Sequence, residues 1–162
     1  MPMKELKEIL VALGCEKVQT YIQSGNVVLK SPARSTTKLS TQITEEIEKR
    51  RGFRPHVLLL EVADFQAAMA NNPFPEAEPD PQSLHLSFLD GEPENPNLEA
   101  LEDVKIASER FQLKGRVFYL HAPEGIGRSK LAAKSERVIG VPMTDRNWRT
   151  VEKIMEMLEA GG

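Results

Sequence analysis

One hairpin signature occurs twice in this 162-residue chain, ninety residues apart, and the repetition constrains the fold more than any other feature. In the first copy Val18, Thr20 and Ile22 alternate with Gln19, Tyr21 and Gln23. Ser24-Gly25 then supplies a two-residue turn, and Val27 and Leu29 resume the apolar face. This register sets Ile22 opposite Val27 and Thr20 opposite Leu29. At the same offset Phe111 matches Tyr21, Gly115 matches Gly25 and Val117 matches Val27. The second hairpin is therefore expected from 105–113 and 116–121, closed at Lys114-Gly115.

What flanks each hairpin repeats as well. In the first half, Met3, Leu6, Leu10 and Leu13 recur at helical spacing up to Gly14, and Leu39, Ile43 and Ile47 form the stripe of a second helix that Gly52 ends. A strand over 55–60 and a helix over 62–69 carrying Phe65 inward follow. The second half opens with a strand over 84–89 and an acidic helix over 97–103. After its hairpin come a helix over 129–139, a strand over 141–144 and a last helix over 146–159, with Trp148, Val151, Met155 and Leu158 on one side.

Helix, hairpin, helix and strand in both halves describe a duplicated β-α-β-β-α-β unit, the ferredoxin-like pattern. The fold class is α+β, with two tandem ferredoxin-like halves built on antiparallel sheets. Subtracting the offset from the strand at 84–89 lands before Met1, so the first half is expected to lack its opening strand. Asn71-Asn72-Pro73-Phe74-Pro75 cannot continue a helix, and 76–82 is rich in proline and acid, which reads as a linker. The expected domains are 1–75 and 83–162, the second with an extra C-terminal helix.

Composition narrows the function classes. Cys15 is the only cysteine, which excludes an intrachain disulfide and a cysteine-based zinc site, and it reads as a small buried residue. No run approaches the roughly 18 apolar residues of a membrane span, and no leader-like start is present, so the expected location is the cytoplasm, away from membranes. The net charge of −3 hides a dipole along the chain. Residues 90–109 hold seven acids and one lysine, whereas 110–149 hold nine bases and three acids.

Two stretches in the basic part carry the binding expectation. Gly125-Ile126-Gly127-Arg128-Ser129-Lys130 places flexible glycines ahead of a helix whose first turn carries Arg128, Ser129 and Lys130, an arrangement that favours an anion. It is neither a P-loop nor a dinucleotide fingerprint. In Thr144-Asp145-Arg146-Asn147-Trp148-Arg149, taken as a helix start, Thr144 or Asp145 would cap, and Arg146 and Arg149 would share a face able to grip a phosphate or carboxylate. Tyr21, Gln23 and Asn26 form a third group on an open sheet face, without the basic-aromatic signature of RNA-recognition modules. His56, His85 and His121 have no metal-ligand neighbour at the usual spacing and read as structural.

Several separated motifs in order resemble the bacterial family catalogued as domain of unknown function 1697. They are Pro2-Met3-Lys4-Glu5-Leu6, Thr20 to Val28, Asn72-Pro73-Phe74, Gly127-Arg128-Ser129-Lys130 and Thr144-Asp145-Arg146-Asn147-Trp148. The resemblance implies a pair of ferredoxin-like units and no established activity. Members usually begin with a strand and a glycine-rich turn that this sequence does not contain. One account is a start codon read at an internal valine. The other is a homodimer in which a second chain supplies the strand.

The functional expectation is a non-catalytic binding protein for a phosphate-bearing ligand, a nucleotide or a short nucleic-acid segment. Arg128, Lys130, Arg146 and Arg149 would contact the anion, Ser129 and Asn147 would add polar contacts, and Tyr21 with Gln23 would line the cleft. No catalytic residue, metal or cofactor is assigned. The alternatives are an enzyme acting on a phosphorylated small molecule, with the same bases holding charge, and a structural or oligomerising protein.

Overall fold

The computed structural model describes residues 2–21, 25–32 and 35–161. The chain forms two compact units, one of residues 1–66 with 153–162 and the other of residues 67–152.

The first unit starts with α1 (Met3–Ala12), which buries Ile9 and Leu10. Gly14 at φ +91° turns the chain into β1 (Glu16–Tyr21). β1 pairs antiparallel with β2 (Asn26–Lys30), with an irregularity between Glu16 and Gln19 where Lys17 takes φ +52°. The register is Thr20 to Val27 and Tyr21 to Asn26, two residues away from the expected pairing. A shift of two leaves every side chain on its original face, so the apolar pattern that predicts the face cannot distinguish the two registers. Ile22, Gln23 and Ser24 lie outside the described residues.

α2 (Thr36–Arg51) is capped by Ser35, whose hydroxyl accepts from the Lys38 N–H at 3.2 Å, and stops at Gly52 in the left-handed region. Its stripe of Leu39, Ile43 and Ile47 meets Ile9, Leu10, Cys15 and Val18 in one core, and Val27, Leu29, Val57 and Leu59 pack against it. Each such buried aliphatic side chain contributes about 1.5–3 kcal/mol.

No strand forms over 55–60, which corrects the expectation. Val57 and Leu59 do alternate toward the core. In a β-α-β-β-α-β sheet, however, the last strand pairs with the first, and the described residues of this unit contain no counterpart of that first strand. α3 (Val62–Ala70) follows, carrying the buried Phe65.

The second unit is a complete β-α-β-β-α-β arrangement. β3 (Leu84–Leu89), α4 (Leu98–Val104), β4 (Arg110–Lys114), β5 (Val117–His121), α5 (Lys130–Ile139) and β6 (Met143–Asn147) follow in order, and α6 (Trp148–Gly161) continues from β6. The sheet order is β4-β5-β3-β6 with every pair antiparallel, so β3 is central. Leu84, Leu86 and Leu89 on it are fully buried. Leu89, Leu101, Phe118, Leu120, Leu131 and Ile139 form the core between the sheet and the helices α4 and α5.

Three boundaries differ from expectation. The first arm of the second hairpin begins only at Arg110, because Glu109 turns inward and its carboxylate accepts from the Ile106 N–H at 3.1 Å. The stretch expected to begin the last helix is β6 instead. Asp145 is disfavoured in strands and the run 145–147 carries no apolar alternation, but the ladder of Thr144, Asp145 and Arg146 to Phe88, Ser87 and Leu86 overrides this. Finally, 76–82 belongs to the second unit and is ordered locally. The Phe74 N–H donates to Asn72 Oδ1, Asn72 Nδ2 donates to Glu78, and the Ser83 hydroxyl donates to the Asp80 carbonyl.

Candidate functional site

Alternation along β3 sends Leu84, Leu86 and Phe88 to one side and His85, Ser87 and Leu89 to the other, toward α5. Asp145 stands opposite Ser87 in the ladder and projects to the same side. The Ser87 hydroxyl donates to Asp145 Oδ1 at 3.1 Å, and His85 Nδ1 meets Oδ2 at 3.0 Å. His85 Nε2 faces the Gln82 carbonyl at 3.2 Å, so both ring nitrogens meet oxygen acceptors, and the imidazolium form donates to both. His85 and Ser87 are buried, while the Asp145 side chain is 42 % exposed. Two buried groups thus orient a carboxylate that reaches solvent.

That carboxylate lines a groove of about 410 Å³ between α5 and the sheet. The groove runs from Gly127 and Ser129, at the beginning of α5, past Ser135 and Glu136 to Asp145, over an apolar floor that includes Phe118 and Leu120. Ser129 caps α5, its hydroxyl accepting from the Ala132 N–H at 3.0 Å, and Glu136 accepts from the Met143 N–H at 2.9 Å. One end of the groove is therefore a helix beginning beside two exposed bases, Arg128 and Lys130, and the other end is carboxylate.

The residues expected at the site separate into groups. Arg128, Ser129 and Lys130 stand together at the beginning of α5. Arg146 does not join them. It pairs with Leu86, on the side of the sheet away from Asp145, and its guanidinium donates to the Asp145 backbone carbonyl at 2.7 Å. Burial holds the Arg146 guanidinium below its usual value, with the neighbouring Asp145 charge opposing that shift. The proposed Arg146–Arg149 grip on one helix face is thus corrected, because Arg146 is on β6 and Arg149 on α6.

Asn147 ends β6, and its Oδ1 accepts from the Thr150 N–H at 3.0 Å, which makes Asn147, and not Thr144 or Asp145, the cap of α6. Tyr21 is half-buried on β1 in the first unit, and Gln23 lies outside the described residues. Ser87, Ser135, Glu136 and the orienting role of His85 went unforeseen. Their one signal was two polar residues, His85 and Ser87, at alternate positions of an otherwise apolar strand. Among the described residues no group of three or more histidine, cysteine or acidic side chains could hold a metal ion.

The family described as a protein of unknown function, DUF1697, matches residues 1–119. The chain belongs to this family. The match takes in β3 and nearly all of the second hairpin and ends before α5 and β6, so Ser129, Glu136 and Asp145 lie beyond it. Among solved structures, the chain is similar to the conserved bacterial protein SP0830 from Streptococcus pneumoniae, with 25% sequence identity and a TM-score of 0.70. That similarity covers 98% of this chain and 89% of the streptococcal one. No curated protein matches the chain.

Proposed function

We propose that this DUF1697 member is a non-catalytic, cytoplasmic binding protein for a small phosphate-bearing ligand, with a nucleoside monophosphate as the best chemical fit. The observation that carries the reading is the polarity of the groove, with Gly127 and Ser129 beside Arg128 and Lys130 at one end and Asp145 with Glu136 toward the other. A phosphate suits the basic helix beginning, and sugar hydroxyls or base amino groups are donors that carboxylates accept. The two carboxylates repel a second phosphate, which disfavours a nucleic-acid strand. Arg146 and Arg149 are not needed for this contact.

A second reading, an enzyme acting on a phosphorylated small molecule, draws on Asp145 as a solvent-reaching carboxylate on the groove wall. Ser87 donates to Asp145 and not to His85, so the cluster lacks the serine-to-histidine contact of a nucleophilic relay.

Thermal-shift titration with a nucleoside monophosphate, its parent nucleoside and inorganic phosphate tests the proposal. The monophosphate should raise Tm more than either fragment, by an amount corresponding to about 2.7 kcal/mol at a hundredfold excess over Kd. Arg128→Ala and Asp145→Asn should each weaken the shift. No response to any of the three compounds overturns the reading, and turnover of a phosphomonoester abolished by Asp145→Asn would replace it with the second.

A further inference from the structure

The groove carboxylate is tied through both of its oxygens. Ser87 Oγ holds Asp145 Oδ1 at 3.1 Å and His85 Nδ1 holds Oδ2 at 3.0 Å, and both donors are buried on the central strand β3. With each oxygen tied, the carboxylate cannot turn about its own bond, so the sheet sets its plane. A carboxylate has about four acceptor sites, and two are taken, which leaves one on each oxygen. Asp145, 42 % exposed on the groove wall, therefore presents two coplanar acceptors side by side. Glu136, the other acid of the groove, is an exposed helix side chain held through one oxygen, Oε2, to the Met143 N–H at 2.9 Å.

We infer that Asp145 is the specificity-determining residue of this groove and that it selects guanosine monophosphate, an inference that rests on the groove holding a nucleoside monophosphate. Two fixed coplanar acceptors match a planar fork of two parallel N–H donors, the geometry that makes arginine–carboxylate pairs bidentate. Guanine carries that fork on N1 and its 2-amino group. Adenine and cytosine place an amino group beside an acceptor ring nitrogen, and uracil sets its N–H between two carbonyls. Each would aim a lone pair at the carboxylate and leave one of its oxygens without a donor. Phosphate and base are the two ends of the ligand, so a phosphate at the beginning of α5, beside Arg128 and Lys130, leaves the base to the carboxylate end. The apolar floor of Phe118 and Leu120 suits the face of a purine.

Isothermal titration of the full chain with guanosine, inosine, adenosine and 2′-deoxyguanosine monophosphates tests this. Inosine differs from guanosine only in lacking the 2-amino group. The guanosine and deoxyguanosine compounds should bind alike, each at least tenfold more tightly than the other two. Asp145→Asn, which keeps one acceptor and gains one donor, should reverse the preference for guanosine over xanthosine monophosphate, whose C2 carbonyl replaces the amino group. Equal affinity for the four compounds overturns the inference and leaves nucleotide binding standing, whereas binding of none of them removes both. Tenfold weaker binding of the deoxy compound, with inosine equal to guanosine, also overturns it, because the sugar hydroxyls then face Asp145. So does equal loss of guanosine and xanthosine monophosphate binding in a folded Asp145→Asn chain.

Discussion

Asp145 and His85, sixty residues apart in sequence, meet across the β3–β6 ladder with Oδ2 at 3.0 Å from Nδ1, and Ser87 holds the other carboxylate oxygen at 3.1 Å. Asp145→Ala would leave two buried polar groups without this partner, which costs about 1–3 kcal/mol each at most. Asp145→Asn retains one acceptor oxygen and should lose less. Urea unfolding of the two variants beside the parent checks the order, and equal loss in both would show that the charge and not the hydrogen bonding matters.

Tyr119 is buried, and its hydroxyl donates to the Ala68 carbonyl at 2.6 Å. Burial pushes the phenol up to about 12 from 10, so the folded chain keeps this proton at a pH where the unfolded chain has lost it. The stabilisation is complete below about pH 10 and is lost as the pH rises through about 12. Tyr119→Phe should remove that alkaline loss while costing about 1 kcal/mol at neutral pH, measured by denaturant midpoints across pH 8–11.

His121 titrates in the opposite sense. Burial first, and then the Arg110 guanidinium, hold it below the usual histidine value, with Glu76 and Asp80 opposing. Arg110 Nη2 lies 3.0 Å from Nδ1, where the neutral ring accepts, and the Arg110 guanidinium also stacks on Phe74 at 4.6 Å and pairs with Glu76. Stability from this group is present above the unfolded value near 6.5 and is lost as the pH falls through the lower folded value. His121→Gln should therefore flatten the dependence of unfolding free energy on pH between 7.5 and 5 relative to the parent.

Leu131 on α5 is fully buried against Leu89, Leu101 and Phe118 beneath the groove. Leu131→Ala should cost about 2–5 kcal/mol through lost burial and a residual cavity. Val11→Ala, on the outward face of α1 where the side chain is 57 % exposed, should change stability by less than about 0.5 kcal/mol. Thermal unfolding of the pair separates core packing from helix propensity.

Local chemistry accounts for what is legible in the sequence. The stripe of Leu39, Ile43 and Ile47 and the stop at Gly52 each depend on residues within one or two turns. Their spacing alone therefore determined the elements, the duplicated order and the α+β class. The beginning of α5, with Arg128, Ser129 and Lys130, was legible for the same reason. Tertiary pairing decided the rest. β6 exists because β3 presents a free ladder to Thr144–Asn147, which turns an expected helix start into a strand and sends Arg146 and Asp145 to opposite faces. Residues 55–60 have a strand's alternation and, among the described residues, no strand pairs with them, and Ser87 and Asp145 become one site only through a register set by contacts fifty-eight residues apart. Side-chain periodicity specifies which face an element buries, but not which partner covers it. Only the packed sheet contains that information.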